Sequence, residues 1–434
     1  MRVLLAVFLA LLLRPVMAGA AEPVEFWYGH SGAAGAVIER LCSHFNASHP
    51  GLRPLRCVAQ GSYEQTLQKT VAAYRAGNSP ALVEIYDVAT LDMLLGGASM
   101  AVQQVMTEQH QQNAPHDFLP AVQRYYADRD GQLAAQPFAV STAVLYSHRA
   151  TLAAAGISEP PATWEAFDAA LQALKRHGLT CPAVTDFNPW IWLEQSSAAM
   201  GVPVASAANG TEGLHARYRF DSGPHPRLLA DLARWVAQGS LVNQAATRSG
   251  RQELAFAAGD CALLLSSTGA WNLLASGQID DVVISPIPVY QGFPRQATVI
   301  GGAALWVLRG QSPEAYATVA AFLAYLRQPA VQISFSRQTG YLPVTQQAAA
   351  LILASQPSDS AVAVGLSSLR RADGQTSTPL RTGFLTRLRL IWTQELQNAL
   401  ARHSSTDVAV QQIVERGNDL LTTFEETYRY VPTL

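Results

Sequence analysis

The sequence predicts an α/β protein built as two lobes, and three observations predict it. Its 434 residues exceed what a single hydrophobic core usually organises, so two cores are expected. Short apolar runs alternate with helix-period segments from Val24 onward, the pattern of a parallel sheet with helices on its faces. The composition is that of a soluble globular chain, with 49% hydrophobic residues, 14% charged residues and a formal net charge of −2. No basic run or aromatic-basic patch is present, so no nucleic-acid partner is expected.

The first 20 residues read as a cleavable signal peptide. Arg2 precedes an apolar run from Val3 to Leu13, Arg14 interrupts it, and Ala18-Gly19-Ala20 offers a small-residue cleavage site. The run is too short for a permanent membrane span. No cysteine lies near the cleavage site to carry a lipid, so the expected product is free in the bacterial periplasm.

Val24 to Tyr28 then reads as a strand. Ala33 to Phe45 reads as a helix with Val37, Leu41 and Phe45 on one face, and Leu52 to Ala59 as a second strand. Ser62-Tyr63-Glu64-Gln65 forms a capping box opening a helix to Gly77, with Leu67, Val71 and Tyr74 expected inward. Ala81 to Tyr86 is a third strand. Thr163 caps a helix reaching Gly178; Asp260 to Ser266 is a strand, and Ser267-Thr268-Gly269 leads into a helix. Ile300 to Leu308 is a further strand. Ser312-Pro313 starts a helix that buries Val319, Phe322, Leu323 and Leu326. Gly340 can take positive φ where a helix ends, and Pro343 disfavours α geometry at Leu342, which leaves Tyr341 at a sharp corner. From about Leu380 onward the chain reads as helical.

Four cysteines in an exported chain are an even number where disulfides persist. Three connectivities are open. The preferred one joins Cys42 to Cys57, tying the first helix to the second strand, and Cys181 to Cys261; four buried thiols are the alternative. No C-x-x-C or Cys/His cluster exists, so neither zinc nor another metal or organic cofactor is implied.

Seven blocks in order carry a resemblance: Ser62-Tyr63-Glu64-Gln65, Ile85-Tyr86-Asp87-Val88, Gln136-Pro137-Phe138, Pro161-x-Thr163-Trp164, Gly259-Asp260-Cys261-Ala262, Ile300-Gly301-Gly302-Ala303 and Thr339-Gly340-Tyr341-Leu342-Pro343. Together they resemble the extracellular solute-binding proteins of ABC importers, and among these the sn-glycerol-3-phosphate binders. The resemblance implies a maltose-binding-protein-like fold of two hinge-linked, discontinuous lobes with ligand in the cleft between them. Crossings fall near Pro137, Pro286 and Pro329, so lobe 1 comprises 21–136 and 287–329, and lobe 2 comprises 137–286 and 330–434. It also implies a non-enzymatic, monomeric protein that delivers a glycerol phosphate to membrane permease subunits served by a cytoplasmic ATPase.

Carried over residue by residue, the resemblance implies ligand contacts at Tyr63, Asp87, Ser141, Ser267, Gly302, Tyr341 and Arg389. Arg389 offers a planar fork suited to phosphate, a role that a register slip of two would give to Arg387. Ser267 precedes a helix start, where free N–H groups favour an anion. Gly302 lets backbone approach a ligand, and Tyr63 and Asp87 face the glycerol end. Two departures enlarge the implied site: Asp87 stands where relatives carry Glu, and Phe187 stands where they carry Trp. Room for a glycerophosphodiester such as glycerophosphocholine follows. Trp190 and Trp192 read as core or cleft wall.

Two rival readings remain. Gly29-His30-Ser31-Gly32-Ala33 nearly spells the nucleophile elbow of a secreted serine esterase, but Ala33 replaces the final glycine and no later histidine carries a supporting signature. A sugar-binding member of the same family is the other; its reliance on aromatic platforms suits the convergent Ser267, Tyr341 and Arg389 less well.

Overall fold

A computed structural model describes residues 22–112, 115–128, 130–275, 277, 281–370 and 373–431, so the expected signal peptide lies outside the described residues. Among the described residues eleven strands form two sheets. β1 (Val24–Tyr28), β2 (Leu55–Ala59), β3 (Leu82–Tyr86), β4 (Ser99–Met100) and β5 (Gln136–Ser141) belong to the first sheet. β6 (Ala143–His148), β7 (Ala183–Thr185), β8 (Leu241–Asn243), β9 (Leu263–Ser267) and β10 (Val282–Pro286) form the second. β11 (Gly301–Leu308) then returns to the first sheet, giving the order β2-β1-β3-β11-β4 with β5 also paired to β11. The second sheet runs β10-β6-β9-β7-β8.

β1 to β3 pair in parallel, as strand–helix–strand alternation requires, whereas β11 lies antiparallel to β3, β4 and β5. The chain first changes sheets at Thr142, between β5 and β6. That is beyond the crossing expected near Pro137, which sits inside β5, where the ladder to β11 holds it in the first sheet. The crossing expected near Pro329 is also displaced. The helix Pro329–Thr339 places Phe335 in the first lobe's core, stacked on Phe138 with ring centroids 4.9 Å apart.

Local chemistry accounts for the element ends. Ser62 Oγ accepts from the Gln65 N–H while the Gln65 side chain accepts from the Ser62 N–H, the reciprocal capping box. Thr163 and Ser312 cap the helices Trp164–Arg176 and Pro313–Leu326. Gly340 ends the helix Pro329–Thr339 in the left-handed region, at φ +76°. The helix Tyr63–Arg75 departs from expectation. Its fully buried face is Thr66 and Thr70, while Val71 and Tyr74 are exposed. Two threonines pack where the apolar spacing suggests valine and tyrosine, on the face three and seven positions beyond the partly buried Tyr63.

Each lobe has its own aromatic core. Phe26, Phe45 and Phe322 meet in the first, with Phe322 centred 5.8 Å from Phe26 and 5.1 Å from Phe45. Trp164, Phe167, Trp192 and Trp235 cluster in the second. Disulfides join Cys42 to Cys57 and Cys181 to Cys261.

The two bridges close loops of 15 and 80 residues. In the chain-entropy treatment these contribute about 3 and about 4.5 kcal/mol respectively. The Cys181→Ser/Cys261→Ser variant should therefore lower the denaturant midpoint more than Cys42→Ser/Cys57→Ser, as followed by fluorescence. An equal or reversed order would show that native-state strain, rather than loop length, sets their effect.

Candidate functional site

The expected site residues arrive from several elements at the boundary between the lobes. Ser141, buried at the end of β5, is opposite Gly301 in the β5–β11 ladder, and Val140 is opposite Gly302. Leu342 N–H donates to Val140 O at 2.7 Å, which brings the turn carrying Tyr341 onto the same strand. Ser267 is opposite Ala143 in β6, one step past the sheet crossing. A Cβ on Gly269 would stand 3.0 Å from Tyr341 Cε1 and 3.3 Å from Ser267 Oγ, so tyrosine and serine close around that glycine. Tyr63, on the first turn of its helix, places its hydroxyl 3.4 Å from that of Tyr341.

Tyr86 links this group to a second one. Its ring stacks on Tyr63 at 5.8 Å, and its hydroxyl lies 3.1 Å from Thr386 Oγ1 on the helix Leu385–Leu400. The next residue, Asp87, is buried, and its Oδ2 is 3.7 Å from Arg389 Nη2 on that same helix. Arg389 Nε donates to Glu194 Oε1 at 2.9 Å. Its Nη2 is 2.8 Å from the same oxygen, but out of line with it, and is left buried without a directed hydrogen bond among the described residues. Arg387 is exposed, its guanidinium 4.6 Å above the Phe384 ring, so of the two arginines it is Arg389 that turns inward.

Three expectations about this region change. Asp87 is engaged with Arg389 rather than standing alone at the glycerol end. The helix start after Ser267 is a 3₁₀ turn, Thr268–Ala270, whose first N–H groups are already taken. Thr268 N–H donates to Thr142 O and Gly269 N–H donates to Ser267 Oγ, which leaves the Ser267 hydroxyl proton, rather than the helix terminus, as the donor. Gly302 takes φ +105°, and a Cβ there would meet Ala139 O at 1.9 Å, so its glycine is required by the β5 backbone. Phe187 is buried in the core that also holds Tyr86 and Trp190, with φ +57° and its N–H donating to Thr185 Oγ1. Among the described residues it has no hydrogen bond or ion pair to the other seven.

Sequence reasoning misses Glu194, Glu84 and the place of His30. Glu194 belongs to the π-helix Trp190–Gln195, and its carboxyl sits in an otherwise apolar Trp-Ile-Trp-Leu run. Glu84 is fully buried within β3, flanked by Val83 and Ile85. A carboxylate inside a strand buried on both faces is the available signal, since such a group is rarely buried without a partner. Trp190 proves to be wall: a Cβ on Gly301 would lie 2.5 Å from its indole. Trp192 donates to Thr185 Oγ1 within the core. Ser31 caps the helix Gly32–Ser48 without a side-chain hydrogen bond, while His30 is engaged with Glu84 and Tyr63.

Electrostatically the site holds two carboxylates against one guanidinium. Burial raises the Asp87 carboxyl above its usual range, opposed by Arg389. Burial also raises Glu194, to about 7, with Arg389 opposing and Asp87 reinforcing. Burial works against the Arg389 charge, yet Glu194 and Asp87 hold its pKa above the ordinary value. Burial, with Tyr341 and Glu84 nearby, holds the Tyr63 phenol well above its usual value; burial does the same for Tyr341. Both phenols therefore keep their protons. The arrangement presents hydroxyl donors and one partly unspent guanidinium nitrogen, which suits an anion with several acceptor oxygens.

Residues 40–363 match the family model described as bacterial extracellular solute-binding protein. The sn-glycerol-3-phosphate-binding periplasmic protein UgpB of Escherichia coli K12 is 32% identical over 418 residues, covering 94% of this chain and 95% of the relative. The crystal structure of UgpB from Mycobacterium tuberculosis in complex with glycerophosphocholine superposes with a TM-score of 0.76 at 21% identity, covering 93% of this chain and 100% of that one. Maltose-bound T. maritima MalE3 gives 0.75 at 16% identity, covering 93% and 99%. Among the described residues no helix is long and apolar enough to cross a membrane.

Asp87, Glu194, Asp92 and Asp186 all have folded pKa values raised by burial, the last two to about 6. These four carboxyls bind more protons in the folded state than in the unfolded one between their ordinary range near 4 and about 7. Their contribution to stability is therefore lost as pH rises through that window, and it outweighs that of the buried His225, which acts in the opposite sense. The melting temperature of the unliganded protein should fall from pH 5 to pH 8, and less steeply in Glu194→Gln. A melting temperature that rises across this range would contradict the assignment.

Proposed function

The chain belongs to the bacterial extracellular solute-binding proteins, and on that basis we propose that it captures sn-glycerol 3-phosphate and glycerophosphodiesters for an ABC importer. In this reading it is exported by a cleaved signal peptide, works free and monomeric in the periplasm, and hands ligand to permease subunits driven by a cytoplasmic ATPase. The observation that carries the ligand assignment is Arg389 at the lobe boundary, its buried Nη2 paired to Glu194 Oε1 at 2.8 Å yet making no directed hydrogen bond among the described residues. A guanidinium fork matches the spacing of phosphate oxygens, and a buried nitrogen without a directed hydrogen bond gains from an acceptor in line with it. Identity of 32% to a glycerol-3-phosphate binder supports the same chemistry.

The remaining residues take complementary roles. Tyr63, Tyr341 and Ser267 supply neutral hydroxyl donors, while the Ser141 hydroxyl and the Gly302 backbone lie beside them on the β5–β11 ladder. Asp87 is the acceptor for a glycerol hydroxyl or for a cationic head group, and the carboxylates repel a second phosphate. Ligand binding between the lobes closes them around a hinge at the sheet crossings. The short Asp87 side chain leaves room for a diester's head group; Phe187, buried in the adjoining core, would bear on it through the packing behind the site.

Calorimetry with sn-glycerol 3-phosphate, glycerophosphocholine, glycerol and maltose tests the reading. The first two should bind and the last two should not. Arg389→Ala should weaken phosphate-ligand binding by about 2–5 kcal/mol, with only partial recovery in Arg389→Lys. Phe187→Trp should shift preference toward glycerol 3-phosphate. Wild-type affinity in Arg389→Ala, or tight binding of maltose with no phosphate requirement, would overturn it.

A further inference from the structure

Behind the two phenols lies a buried pair that none of these roles uses. Glu84 Oε2 accepts the Gly29 N–H at 2.9 Å, and Glu84 Oε1 lies 2.9 Å from His30 Nε2. The same Nε2 is 3.1 Å from the Tyr63 hydroxyl, which is 3.4 Å from that of Tyr341. The His30 ring stands edge-on to both phenols, 5.1 Å from Tyr63 and 5.6 Å from Tyr341. The order Glu84, His30, Tyr63, Tyr341 is one continuous line of polar atoms running from the first sheet into the proposed cleft.

With Glu84 ionised, proton accounting along this line fixes the His30 tautomer. A carboxylate only accepts, so each of its oxygens needs a donor. Gly29 serves Oε2, and Oε1 is served only if His30 carries a proton on Nε2. A nitrogen that carries a proton does not accept one, so the Tyr63 hydroxyl meets Nε2 with a lone pair and its own proton points away. That proton goes straight to whatever fills the cleft, or it goes to Tyr341, whose own proton is then turned into the cleft.

We propose that Glu84 and His30 are positioning residues that fix the hydroxyl direction of Tyr63 and Tyr341, so the site offers protons there and selects an oxygen that accepts hydrogen bonds. This rests on Tyr63 and Tyr341 being ligand contacts. It goes beyond that reading by giving specificity to two residues that need not touch ligand. A phosphate or phosphodiester oxygen accepts the proton that the phenol pair directs into the cleft; a group that only donates does not.

Glu84→Gln tests the wiring, because it keeps the shape and reverses the polarity. The single amide oxygen is needed by Gly29 N–H, which turns the amide NH₂ toward His30 and makes Nε2 an acceptor, with the proton on Nδ1. In wild type, ¹⁵N spectra of labelled histidine, with the His30 signal assigned by its loss in His30→Phe, should report a proton on Nε2. In Glu84→Gln the proton should move to Nδ1, and sn-glycerol 3-phosphate affinity should fall about tenfold, the scale of one lost hydrogen bond. A wild-type ring protonated on Nδ1 alone overturns the proposal, and so does a tautomer switch that leaves affinity unchanged. If wild type binds neither glycerol 3-phosphate nor glycerophosphocholine, the ligand assignment fails, while the wild-type tautomer still decides the wiring. Should Glu84→Gln not fold, that wild-type spectrum remains decisive by itself.

Discussion

A guanidinium withdrawn from water needs acceptors, and the interior of this protein is arranged around that need at Arg389. Glu194 reaches it from the π-helix of the second lobe, and Asp87 reaches it from the end of β3 in the first. The pairing is worth little as net stabilisation, because both carboxylates are desolvated with it. Its value is positional. A charge held between two lobes by acids from each has a fixed location, and any anion that approaches must negotiate with acids already in place. Burial and the neighbouring Asp87 hold the Glu194 carboxyl above its usual range, opposed by Arg389.

The fold is shared with proteins whose names describe quite different ligands, including maltose and glycerophosphocholine. What separates such ligands is a handful of side chains at the lobe boundary, and fold alone carries no ligand. In this chain the boundary is built from backbone as much as from side chains. Gly302 lies against Ala139, Gly301 against Trp190, and Gly340 against Thr268 O. Three contacts too close for a Cβ bring β5, β11 and the Tyr341 turn together, which gives the polar groups their common focus.

Features governed by near neighbours along the chain are legible from the amino acids alone. The Ser62 capping box, the Thr163 and Ser312 caps and the left-handed Gly340 depend on residues within four positions of one another. The inward face of the helix Tyr63–Arg75 is misleading, because apolar spacing points to Val71 and Tyr74, whereas the packing follows Tyr63 and two threonines. Glu84 and Glu194 are not legible as site residues. Their partners, His30 and Arg389, are 54 and 195 positions away, and a lone carboxylate in an apolar run does not name the group that will meet it. The helix start at Thr268 misleads for a related reason: Thr142, across the sheet crossing, takes the N–H that the local sequence leaves free.

Both disulfides lie within a lobe, Cys42–Cys57 joining a helix to β2 and Cys181–Cys261 joining the segments that lead into β7 and β9. Neither spans the places where the chain passes between sheets. Covalent stiffening is thus applied to the bodies and withheld from the joint, as in a pair of tongs with rigid jaws and an unriveted pivot. Ordering such a device on a ligand removes relative rotation of two solid pieces and little internal freedom from either. For the closure proposed above, such a construction confines the ordering to the joint, and parting of the jaws restores it.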